Sequence, residues 1–433
     1  MARELDGLEL YGWAFSAFWL TNIVGITLGG TDADRHGPGR ALAIGTVLFA
    51  AGMLVSGLAP SMGVVVVGRA IQGFGSGAIG SVVYVAIARA YAPDATPRMI
   101  ALVSSAWVVP GLIGPALAGL ATDTVGWRWV FLAIVPPLLL MGGGLYRQVA
   151  RLGPAPREVE PARTDRQRTL DAVLLATGST LLLTALAVGS LPLGVGLAVV
   201  GGWLALRSLR HLLPAGSLRL APGRPSVVAA VFVIAFAFFG TEAFVPLAVV
   251  ELRGGSVTLG GLALSAAAVT WTIGSWLQDR AARAGVRRTL VVAGAMLICV
   301  GIAIALVVLL PGVPVLVAAV AWTVAGLGMG LAYSMLALLI LETSAPGEAG
   351  FSSAALQLMF TLGTAFGAGV GGAVVALSEA GTLRLDAALG IVFGMMLLVA
   401  LAAVAVAWRV PTGPAEGVVR EEPATLGAPL QHP

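Results

Sequence analysis

The sequence contains no lysine at all. Without that amine there can be no Schiff base to retinal or pyridoxal phosphate, and no G-K-[ST] phosphate loop for nucleotide hydrolysis. No cofactor is expected, and any work the protein does must draw on an ion or solute gradient. Cysteine is almost as scarce. Cys299 stands alone inside an apolar run, which allows neither an intramolecular disulfide nor a cysteine-cluster metal site. The three histidines, His36, His211 and His432, fall in connections or the tail, and Asp32 and Asp34 are only a close pair. A metal site is therefore not expected, and a polytopic membrane enzyme such as a lipid-modifying transferase lacks its metal motifs. Charge itself is thin: 11% of residues, against about 25% in soluble domains.

What fills the space is apolar. Hydrophobic residues make up 58% of the chain, and 58 glycines are spread through the apolar runs. Runs long enough to cross about 30 Å of hydrocarbon fall at 11–30, 41–59, 62–90, 98–122, 128–147, 169–189, 191–208, 226–250, 258–278, 288–310, 313–341, 349–378 and 386–408. The expected fold class is an all-α polytopic membrane protein with 13 transmembrane helices. Its setting is then the lipid bilayer of the plasma (inner) membrane. Nothing at the start has the pattern of a cleaved secretory signal, so the first run reads as a span. The 25 basic residues are all arginine, and their distribution gives orientation rather than a nucleic-acid partner. Alternate connections, from "TDADRHGPGR" to the tail, carry 20 of them. The opposite side has only Arg3, Arg128, Arg253 and Arg384, and Arg69 lies within a span. By the positive-inside rule the arginine-rich side, including the C-terminus, is cytoplasmic.

Two glycine patterns recur at one spacing. "GRAIQGFGSG" (68–77) is echoed by "WTVAGLGMG" (322–330), with Gly73 matching Gly326 at an offset of 253. "PGLIGPALAG" (110–119) is echoed by "GTAFGAGVGG" (363–372), with Gly114 matching Gly367 at the same 253. A third echo pairs Asp34-Arg35 with Asp279-Arg280 at 245. The chain thus reads as two parallel halves. The expected organisation is a helical bundle at 1–147, a cytoplasmic loop at 148–168, two inserted spans at 169–208, a second loop at 209–225, a six-helix bundle at 226–409 and a tail at 410–433. Span 226–250 has no counterpart in the first half, which holds five of six helices. "ARELDG" reads as a loop, and Met1 falls on the arginine-poor side. The expectation is a further apolar span, encoded upstream of Met1, that would bring the total to fourteen.

The motifs carry a resemblance. Asp34-Arg35-x-Gly37 with Arg40 resembles the loop between helices two and three of the major facilitator superfamily. "GRAIQGFGSG" resembles its fourth-helix motif, and "GPALAG" followed by "GWRWVF" resembles its fifth-helix antiporter motif and the start of helix six. With two inserted helices, the chain resembles the fourteen-helix drug:proton antiporter family without a counterpart of its first helix. The fold implied is the major-facilitator two-bundle fold with two extra central helices. Pro110 and Ala118-Gly119 depart from the antiporter motif's usual glycines, and Pro38-Gly39 stand where a basic pair is common.

Candidate site residues follow. Arg69, Gln72, Gly73, Ser76 and Gly80 fall within about 100° of one another on a 3.6-residue helix, forming a polar stripe. An arginine there either faces a wet cavity or snorkels to the nearby surface. The resemblance implies the cavity, with Arg69 coupling proton release to substrate binding. Glu242 is the acidic residue placed deepest in any span. Phe238 and Phe239 precede it by one turn and Pro246 follows, which would set a carboxylate beside aromatic faces, as a lipophilic cation requires. The alternative is a glutamate at the membrane surface. Trp271, Trp276 and Gln278 either line the opposite wall or anchor at the interface. The resemblance makes Asp34, Arg35, Gly37 and Arg40, with Asp279 and Arg280, a conformational latch. A solvated charge pair is the alternative. Gly111, Gly114, Pro115, Ala118 and Gly119 give one helix a smooth face for close packing, which either holds two helices as a tight hinge or serves packing alone.

The function expected is a secondary transporter, not an enzyme, that exports small lipophilic or cationic molecules in exchange for protons by alternating access. An importer of a sugar or other nutrient is the alternative, and it would place more hydrogen-bonding side chains in the cavity. An incomplete, inactive chain is another.

Overall fold

A backbone N–H or C=O in lipid has no water to bond, so each apolar run must satisfy its polar groups internally, as a helix. The computed structural model describes residues 1, 4–90, 108–153, 162–282, 286–344 and 349–412, and no strand occurs among them. The helices are α1 (Tyr11–His36), α2 (Pro38–Gly57), α3 (Met62–Ala90), α4 (Val108–Thr124), α5 (Trp127–Leu132), α6 (Val135–Val149), α7 (Ala162–Ala187), α8 (Leu191–Leu212), α9 (Arg224–Glu242), α10 (Val257–Ala282), α11 (Arg287–Val308), α12 (Leu316–Glu342), α13 (Ala349–Glu379) and α14 (Leu385–Ala407). Helices α5 and α6 form one span, Trp127–Leu152, and α9 continues past a break to Leu252. Eleven described spans are long and apolar enough to cross a membrane. Of the other two expected spans, 11–30 lies within α1 and the described part of 98–122 is α4; residues 98–107 fall outside the described residues. Many hydroxyls inside the helices are bonded back to the preceding turn, as in Thr27 to Ile23 O at 3.0 Å and Thr180 to Ala176 O at 2.9 Å, which satisfies them without a partner helix.

The two halves pack alike. In the first, α3 is sandwiched by α1 and α2, and α2 reaches α6; in the second, α12 is sandwiched by α10 and α11, and α11 reaches α14. The equivalence extends to single atoms. Thr21 Oγ1 donates to Ala70 O at 2.7 Å, and Thr270 Oγ1 donates to Thr323 O at 2.7 Å. A Cβ on Gly75 would lie 2.6 Å from Gly45 O, and one on Gly328 would lie 2.5 Å from Gly294 O. Helix α12 therefore follows α3 at 253, the expected offset. Helices α10 and α11 follow α1 and α2 at 249 (Thr21 to Thr270, Gly45 to Gly294). That is one helical turn away from the 245 suggested by Asp34-Arg35 and Asp279-Arg280. The difference arises because a dipeptide echo carries little register information, whereas a packed glycine fits only one place.

The halves meet along two joints, α1 on α13 and α4 on α10; the inserted α7 and α8 pack on each other, and α7 also packs against α1 and α13. The deepest core lies in the second half, around Trp322, Phe238, Phe393 and Met396. Helix α9 is at its centre: 72% of the span window in Arg224–Leu252 is buried, against 6% in Trp127–Leu152. On the corresponding side of the first half, Ile113, Leu117, Leu120, Leu140, Met141 and Leu145 are exposed, and no described helix covers them as α9 covers α13 and α14.

Because the glycine contacts are backbone against backbone, they cannot yield to a larger side chain. We expect Gly75→Val and its equivalent Gly328→Val each to destabilise the protein by about 1–3 kcal/mol. Gly80→Ala, where nothing lies within 4 Å of the added carbon, should be neutral or mildly stabilising. Thermal unfolding in detergent, followed by size-exclusion chromatography, checks all three.

Candidate transport site

Helix α3 turns Arg69 toward α1, which lies directly on it. Arg69 Nε donates to Ala14 O at 2.9 Å and Nη1 donates to Gln72 Oε1 at 2.5 Å. The guanidinium stacks over Phe18, 4.4 Å from the ring centroid. Gln72 is fully buried and donates in turn to Ser56 Oγ at 3.4 Å. The cation is thus held by a carbonyl, an amide and an aromatic face. Ser76 lies two turns further along, half-buried.

Glu242 sits where α9 breaks. Pro246 has no N–H to give to the carbonyl of Glu242, four residues back. The chain therefore turns through Val245–Leu247 and runs on as a wider π-helix over Ala248–Leu252. The half-buried carboxylate accepts from Trp322 Nε1 at 3.0 Å. Phe238 packs on Trp322 with centroids 5.6 Å apart and meets Trp271 edge-on at 5.9 Å. Trp271 touches Phe239 and Tyr333, and both of these touch Phe360. Phe360 reaches Trp19 at 6.3 Å, and Trp19 meets Phe18 at 5.3 Å. An unbroken chain of rings, donated by α1, α9, α10, α12 and α13, runs from the cation of the first half to the carboxylate of the second.

Several residues expected from the sequence come together here: Arg69 with Gln72, and Glu242 with Phe238, Phe239 and Trp271. Trp276 does not; it is 67% exposed on the outer surface of α10, while Gln278 is buried with its amide 3.9 Å from the sulfur of Met335. In the loop motif, Gly37 adopts φ +89° and frees α2 to start at Pro38. Arg40 lies 3.6 Å from Asp32, which also takes His36 Nδ1 at 2.9 Å. Arg35 is exposed. Asp34, Asp279 and Arg280 lie on helices, but their side chains fall outside the described residues. The small-residue face of α4 packs on α10. A Cβ on Gly119 would stand 2.7 Å from Thr258 Cα, and one on Gly111 3.4 Å from Ala268, whereas Gly114 faces open space. The carbonyl of Pro115 lies against Gly261.

Trp322, Phe18, Trp19, Tyr333 and Phe360 were not foreseen. One signal existed: Trp322 stands 253 residues after Arg69, so it occupies the same place in its half. The bidentate pair of Arg287 with Glu342, at 2.9 Å for both contacts, left no trace in any motif. "GWRWVF" also gains a role. Trp127 Nε1 donates to Glu4 at 2.8 Å, and Arg128 pairs with the same carboxylate, tying the opening segment to α5. These bonds, first from Arg128 and then from Trp127, hold the Glu4 carboxyl below its usual range. No cluster able to hold a metal ion occurs among the described residues.

Comparison with known proteins agrees with this architecture. A probable multidrug-efflux transporter of Mycobacterium tuberculosis is 27% identical over 430 residues, covering 93% of this chain and 87% of the relative. The drug efflux pump JefA of the same organism is 30% identical over 360 residues, covering 79% and 68%. Among solved structures, an auto-inhibited POT family peptide transporter is similar with a TM-score of 0.67 at 15% identity, covering 94% of this chain and 89% of that one. The xylose transporter XylE from E. coli, partially occluded and inward open, is similar at 0.59 and 17%, covering 93% and 87%. Residues 1–368 match the family model of the Major Facilitator Superfamily. The chain is a multi-pass membrane transporter and belongs to that superfamily.

Proposed function

We propose that the protein exports small lipophilic cations in exchange for protons, by alternating access between its two halves. The observation that carries this reading is the aromatic chain closed by Arg69 at one end and Glu242 at the other. Ring faces attract a cation and bury apolar surface without demanding fixed hydrogen-bond geometry. A carboxylate at the end of such a wall supplies the charge, and when it takes a proton it releases the cation. An arginine that keeps its charge, held by neutral partners, biases where that proton goes. The efflux names of the two M. tuberculosis relatives support the direction of transport. The hydroxyls beside the rings, such as Thr270 and Ser275, are already bonded within the protein, which weighs against a sugar or nutrient as cargo.

Replacing Arg69 with alanine should reduce proton-driven dye efflux from everted vesicles to background while leaving the protein in the membrane. Efflux at the normal rate would refute a coupling role. Glu242→Gln keeps the shape and loses the charge, so KM for cationic substrates should rise by about tenfold, with neutral substrates little affected. Equal loss for both would make Glu242 structural. Uptake of a labelled sugar by the unaltered protein would favour an importer.

A further inference from the structure

At the arginine-poor end, the seam between α4 and α10 does not stop at the glycines. Pro115, Gly119 and Asp123 are spaced four apart and so share one face of α4. Pro115 and Gly119 bring the backbones together, and Asp123 reaches across to the first turn of α10. Its carboxylate accepts three hydrogen bonds from the other half: Val257 N–H at 3.2 Å, Thr258 N–H at 2.8 Å and Thr258 Oγ1 at 2.6 Å. The first turn of any helix has N–H groups with no partner inside it. Ser256 Oγ takes that of Leu259 at 3.2 Å, but those of Val257 and Thr258 are satisfied only by a side chain belonging to the opposite bundle. Among the described residues, no arginine stands within ion-pair distance of Asp123. The carboxylate is exposed and its bonding is directed at this helix start, where the backbone dipole also favours negative charge.

We infer that Asp123 is a positioning residue of the transport cycle, a latch that caps α10 from the other half and so stabilises the state in which the arginine-poor end is closed. By the arginine count that end faces outward. Opening it separates α4 from α10, breaks all three bonds and leaves two amides without their acceptor. Closing it restores them. The latch differs from the loop motif at the arginine-rich end in using no ion pair, and from the glycine face in being polar and separable. It rests on alternating access, but on neither the substrate nor the proton.

The test reads distance rather than transport, so a failure of the export hypothesis leaves it intact. In full-length protein with Cys299→Ser, spin labels on Val125→Cys and Leu310→Cys report the separation of the halves at this end. Both positions are more than half exposed. Pulsed electron resonance gives the ratio of open to closed populations. Asp123→Ala should raise that ratio about fivefold, the change that matches ~1 kcal/mol for a lost helix cap. Asp123→Asn should fall between, and Thr258→Val, which removes only the hydroxyl, should raise it about twofold. Asp386→Ala is the control: that carboxylate lies at the same end but bonds Arg384 and Ala387 within its own half, and the ratio should not move. The inference is overturned if Asp123→Ala and Asp123→Asn leave the ratio unchanged, or if Asp386→Ala shifts it equally, which would reduce the effect to surface charge. Should Asp123→Ala fail to fold, Asp123→Asn and Thr258→Val decide the matter by the same criterion.

Discussion

Close backbone approach between helices is the interaction on which everything else in this molecule depends. Lipid offers no hydrophobic drive for one apolar helix to join another, so association rests on van der Waals fit and on the few hydrogen bonds that proximity allows. The glycines of α3 and α12 supply the proximity. Only because Gly73 lets α1 lie on α3 can Thr21 reach Ala70 O, Asn22 reach Gly73 O and the carbonyl of Ala14 reach Arg69. The polar stripe of α3 is consequently a product of the packing and not merely a set of residues on one side of a helix. Remove the fit, and Arg69 loses its partners.

The internal repeat then makes the differences between halves informative. Positions 69 and 322 are equivalent, yet one holds a cation and the other an indole donor to a carboxylate. Both are long side chains leaving the same point of a central helix, Arg69 reaching α1 and Trp322 reaching α9. One scaffold thus presents opposite chemistry from its two copies, and the rings between them join the halves into a single surface. Such a division cannot be built from two identical bundles. It needs the sequences to diverge at the few positions that face inward while the glycine seams stay alike.

How much of this was legible in the sequence depended on the kind of signal. Helix positions followed from run length, because the bilayer imposes a minimum and charge marks the ends. The offset of 253 between α3 and α12 was visible because glycines at fixed spacing are rare enough to align by eye. Arg69 and Glu242 stood out as charges in apolar surroundings. Trp19, Tyr333 and Phe360 did not, since an aromatic residue in a membrane helix looks the same whether it faces lipid or a neighbour, and only the crossing of helices brought them into line. Trp271 and Trp276 illustrate the point: five residues apart on α10, one joins the ring chain and the other is exposed. Asp123 was hidden for a similar reason. A carboxylate at a helix end reads as solvated, and its partner is a stretch of backbone that no residue letter reveals.

The change of register within the second half, from 249 along α10 and α11 to 253 along α12, has an evolutionary consequence. Four extra residues separate α11 from α12, relative to α2 and α3. Placed inside a span, an insertion of that size would rotate everything beyond it by about 40°, at 100° per residue, and carry each glycine away from its seam. Placed in the connection, it leaves every facing surface as it was. In this pair of copies the lengthening lies in the connection between α11 and α12, and the seams on both sides of it keep their fit.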